Sequence, residues 1–93
     1  MKIKIKTGMF HTELCEIEAI DNSIIISGDG FKSIELDKSA VWEIYMRLSG
    51  LKSPVFEIRT ESGEIEGILA DSADAEEFML FLKREFGRKA IID

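Results

Sequence analysis

One cysteine, one histidine and one proline are all that 93 residues hold of three informative types, and each scarcity excludes something. A lone Cys15 cannot build an internal disulfide framework, which fits a reducing compartment, so the chain is expected in the cytoplasm. Cys15 and His11 are the sole candidates for nucleophilic chemistry, and a Cys–His pair needs spatial contact and an orienting third group. No CxxC, HExxH or paired zinc-ligand spacing occurs. No catalytic, cofactor or metal residues are therefore assigned, and the chain is not read as an enzyme. Long apolar runs are missing as well. No window approaches the ~20 apolar residues of a membrane span, and the alternating start MKIKIKTGMF lacks a signal-peptide core. Cations are outnumbered, with 12 Lys and Arg against 18 Asp and Glu, for a net charge of −6. Nucleic acids and anionic membranes are held through clustered Lys and Arg, so neither is an expected partner.

What the chain does have is apolar content, 45% of residues, enough for a packed core in a single domain spanning 1–93. Period-two alternation runs through residues 2–70. In KIKIK, Ile3 and Ile5 point one way and Lys2, Lys4 and Lys6 the other. In ELCEIEAI, Cys15, Ile17 and Ala19 face inward, opposite Glu16 and Glu18. Asp21-Asn22-Ser23 and Gly28-Asp29-Gly30 read as turns on either side of the IIIS strand. Residues 55–60 and 64–69 flank Glu61-Ser62-Gly63, which suits a type I turn with a G1 bulge, and Gly67 marks a bend or bulge.

The segment 39–49 fits two templates. As a strand it places Trp42, Ile44, Met46 and Leu48 on one face; as a helix it carries an apolar stripe ended by Gly50. The strand is preferred, because β-branched and aromatic residues gather early in the run. Residues 72–87 form an amphipathic helix. Asp71 or Ser72 caps it, acids fill its first turn, and Gly87 follows its last. Ala75, Phe78, Met79, Phe81, Leu82 and Phe86 fall on one stripe. Three phenylalanines on so short a helix must cover an apolar surface, and the open end of a curled antiparallel sheet supplies one.

About seven strands in a partly open barrel, capped by one C-terminal helix, is the order of elements in the pleckstrin-homology-like (PH-like) fold. The stretch GFKSIELDKSAVWEI resembles the middle of bacterial PH-like domains, and residues 55–86 look like their closing hairpin and helix. The likeness covers roughly residues 13–86. In the family, phosphoinositide-binding members carry basic residues on the first two strands and their connecting loop. Here that loop, Thr7–Thr12, offers only His11, and Glu13, Glu16 and Glu18 follow it. The resemblance thus implies the fold and a protein or peptide partner rather than lipid binding. Such a peptide would dock between the helix and the fifth strand, or add to an open sheet edge.

Candidate sites follow from this. Trp42 is either the largest core side chain, as the strand template has it, or an outward contact residue beside Tyr45. Leu80 lies opposite the helix stripe and, with Met9 and Phe10 of the first loop, suits a self-association patch. Trp42, Tyr45, Leu80 and Phe10 are therefore the candidate partner surface, for a protein, a peptide or a second copy. Lys2, Lys4 and Lys6 are the candidate anion contact of an alternative function, weak binding of a lipid headgroup or phosphorylated ligand. Their plainer reading is the charged face of an exposed edge strand.

Overall fold

The computed structural model describes residues 1–48 and 54–93, with Phe31 described by its backbone alone. Among the described residues, eight strands make one sheet: β1 (Lys2–Gly8), β2 (His11–Ile20), β3 (Ser23–Gly28), β4 (Phe31–Asp37), β5 (Val41–Arg47), β6 (Val55–Thr60), β7 (Gly63–Leu69) and β8 (Ala90–Ile92). The strand order is β4-β3-β2-β1-β7-β6-β5-β8. Every neighbouring pair is antiparallel except β5 and β8, which run parallel, and the sheet does not close. The one α-helix among the described residues, α1 (Ala75–Phe86), follows a 3₁₀ turn at Ser72–Asp74, where Asp71 accepts a 2.9 Å hydrogen bond from the Ala73 amide. Gly87 ends the helix at φ 56°, a conformation that favours glycine.

The expected mainly β architecture with one terminal helix is what forms, and the stripe behaves as expected. Phe78, Phe81, Leu82 and Phe86 are buried in one cluster with Ile3, Ile17, Ile24 and Ile44 from the sheet. Phe78 is fully enclosed, its ring centroid 5.1 Å from Phe56 and 6.2 Å from Phe81. At ~2 kcal/mol per large apolar side chain removed from water, this packing fixes the helix to the sheet. The alternation also holds: Cys15, Ile17, Ile24 and Ile26 are inside. Asp21 turns the β2–β3 hairpin at φ 53°, which Asp tolerates.

Five details depart from the sequence reading. The strands number eight, because the chain returns after α1 as β8 and lies along β5, pairing Ile44, Tyr45 and Met46 with Ala90, Ile91 and Ile92. Strand β1 is interior, between β2 and β7, so its lysines do not guard an edge. The first loop shrinks to Met9-Phe10, and His11 opens β2. Residues 41–47 are a strand as preferred, but a register shift between Val41 and Glu43 puts Val41 inside and leaves Trp42 64% exposed. The bulge decides Trp42, since one extra residue inverts the facing of everything before it. Gly50, the proposed helix stop, falls outside the described residues. Gly67 is no bulge. It pairs in regular register with Ile5 and Phe56, and a Cβ there would lie 2.4 Å from Phe56 Cζ and 2.7 Å from the Lys4 carbonyl oxygen. Glycine is needed to make room for the Phe56 ring.

Candidate functional site

The outward side chains of β1, β7, β6 and β5 form rows across the strands, because antiparallel register places paired residues side by side. Lys4 pairs with Ile68, Ile68 with Val55, and Val55 with Arg47. Two residues further along β7, β6 and β5 stand Glu66, Glu57 and Tyr45, with the Lys6 ammonium reaching across to Glu66. Glu64, Arg59 and Glu43 make a third row. The β1–β2 turn, with Met9 and Phe10, walls this face, and a cleft of about 730 Å³ lies between.

Charge within the cleft is unevenly satisfied. Arg59 is the hub of the third row: Nε lies 2.7 Å from Glu57 Oε1, Nη1 lies 2.8 Å from Glu43 Oε1, and its guanidinium sits 4.8 Å from the Tyr45 ring centre. Its hydrogen bond to Glu57 and the pull of Glu43 raise its pKa above the ordinary arginine value. Lys6 Nζ is 3.5 Å from Glu66. In the first row, by contrast, Lys4 and Arg47 make no ion pair with any described residue. Asp93 lines the rim beside Arg47, its amide donating to the Met46 carbonyl at 2.8 Å.

Carboxylate oxygens of Glu57, Glu64 and Glu66 lie within 4.8 Å of one another, as metal ligands can. Arg59 engages two of them, at 2.7 Å from Glu57 and 3.8 Å from Glu64, and Lys6 the third, at 3.5 Å from Glu66. The three carboxylates stand in a network of ion pairs with Arg59 and Lys6.

The sequence candidates separate. Phe10 and Tyr45 line the same cleft, Phe10 being 96% exposed. Trp42 is exposed on β5 but outside the lining, and Leu80 sits on the exposed side of α1. Lys4 and Lys6 enter the cleft; Lys2 lies opposite Glu16 in register and borders a shallower depression near Cys15 and Gly28. The groove expected between helix and fifth strand is taken over Ile44–Met46 by β8. Cys15 and His11 form no pair. The buried thiol donates to the Glu13 carbonyl at 3.5 Å, and burial, reinforced by the Glu13 charge, pushes its pKa up. His11 is exposed, 3.7 Å from Glu13. Arg47, Val55 and Ile68 were not singled out from sequence; only the register of four strands unites them with Lys4.

No protein-family model matches the chain, and no curated protein matches it either.

Proposed function

We propose that this chain is a PH-like, non-catalytic intracellular module that binds a protein or peptide, a second copy of itself included. The observation that carries the reading is Phe10, almost wholly exposed at the tip of the β1–β2 turn above a cleft that also presents Tyr45. An aromatic held in water beside a concave surface is a poor arrangement for stability and a good one for contact. The order of strands followed by an apolar-faced helix supports the PH-like assignment. The Cys15 thiol, buried and held protonated, supports a non-catalytic role.

The alternative, an anionic headgroup on Lys2, Lys4 and Lys6, has less support. Glu66 pairs with Lys6, and Lys2 borders a different depression from the cleft that Lys4 and Lys6 enter, so the three lysines do not converge on one ligand. Binding there would weaken steeply with salt.

Light scattering after size-exclusion chromatography, together with affinity capture from the native host, tests the proposal. The expected result is a dimer or a captured protein that Phe10→Ser and Tyr45→Ala abolish while circular dichroism stays unchanged. A strict monomer that captures nothing overturns it.

A further inference from the structure

The row Lys4–Ile68–Val55–Arg47 has a chemistry of its own. Two cations that make no ion pair with any described residue stand at its ends, and two half-buried aliphatic residues form its middle. The next row sets Glu66 and Glu57 beside that apolar middle, each already engaged by Lys6 or Arg59, so unengaged positive charge stands only at the two ends of the first row. Strands are spaced ~4.8 Å apart, which puts the β1 and β5 backbones about 14 Å apart across β7 and β6. An extended peptide rises ~3.3 Å per residue, so the side chains of residues four apart stand about 13 Å apart on the same face. The residue midway between them points to that face as well.

We infer that the cleft receives an extended acidic peptide crossing the four strands, with carboxylates at positions i and i+4 on Lys4 and Arg47. An apolar residue at i+2 rests on Ile68 and Val55. This rests on the peptide-binding reading above and names its ligand class. Of the described carboxylates that line the cleft, Glu66 is held by Lys6, and Glu57 by Arg59. Asp93 is the remaining one, at the Arg47 end, where it competes with the ligand.

The test uses three seven-residue peptides with a central leucine and, two residues to either side of it, glutamate, glutamine or lysine. A fourth carries glutamate at the centre and leucines at the two flanking positions. Each is titrated into the whole chain and followed by amide chemical shifts. The expected result is binding of the first peptide at least tenfold tighter than any other, with shifts at Val55 and Ile68. Lys4→Gln and Arg47→Gln should each weaken it severalfold, higher salt should weaken it, and Asp93→Asn should tighten it. Equal binding of the glutamine or lysine peptide in the same cleft overturns the acid preference and leaves the peptide-binding reading standing. Failure of all four to shift cleft resonances overturns the inference and removes the cleft from the broader reading. Capture of a protein partner abolished by Phe10→Ser would still support the latter.

Discussion

Lys38 Nζ lies 2.6 Å from Glu85 Oε1, joining the turn after β4 to the last stretch of α1 across 47 residues of sequence. Lys89 completes the join by donating to the Lys38 carbonyl oxygen at 2.9 Å. The pair lies where the unclosed sheet meets its helix, and both side chains are mostly covered, 24% and 16% exposed. Its hydrogen bond from Lys38, then that from Arg84, holds the Glu85 carboxyl below its ordinary value of 4.5.

A carboxylate with a depressed folded pKa adds stability above its unfolded pKa, and that stability is lost as pH falls through the folded value. Glu85→Gln should therefore cost about 1 kcal/mol at neutral pH. The difference from the parent chain should shrink on acidification below 4.5. Urea unfolding of both proteins at pH 7 and in acid measures it, and a pH-independent difference would refute the linkage.

Phe78 is 0% exposed and touches aromatic rings on both the sheet and the helix. Replacing Phe78 with Ala should cost ~3–5 kcal/mol, a large part of what so small a domain has. The denaturant midpoint reports this. Trp42→Ala, at an exposed position, should stay within ~0.5 kcal/mol.

Two glycines should respond in opposite order to their backbone angles. Gly63 has φ 136° but open space around a would-be Cβ, whereas Gly67 faces Phe56 at 2.4 Å. Gly67→Ala is expected to destabilise by ~1–3 kcal/mol through overpacking. Gly63→Ala should cost about 1 kcal/mol, from strain alone. Equal melting temperatures for the two variants would contradict the packing account.

The Cys15 thiol, 2% exposed and with its pKa raised, should resist iodoacetamide at neutral pH in the folded chain. Alkylation should follow unfolding with increasing urea, read by mass spectrometry. Rapid modification under native conditions would show that β2 opens locally.

The sequence by itself determined the local elements. Alternation of Ile3, Ile5, Cys15 and Ile17 with charged neighbours sets which strand face is buried. The spacing of Phe78, Phe81, Leu82 and Phe86 sets the helix face, because period and burial are properties of neighbouring residues. Tertiary structure decided the rest. Trp42 turns outward at a bulge that Val41 and Glu43 make only when paired with β6. Three residues, Ala90–Ile92, are too few to carry a pattern and become a strand only beside β5. Lys4 and Arg47 stand 43 positions apart in the chain and share a row because two intervening strands hold them in register. Such rows arise from long-range pairing, which no local window of sequence contains.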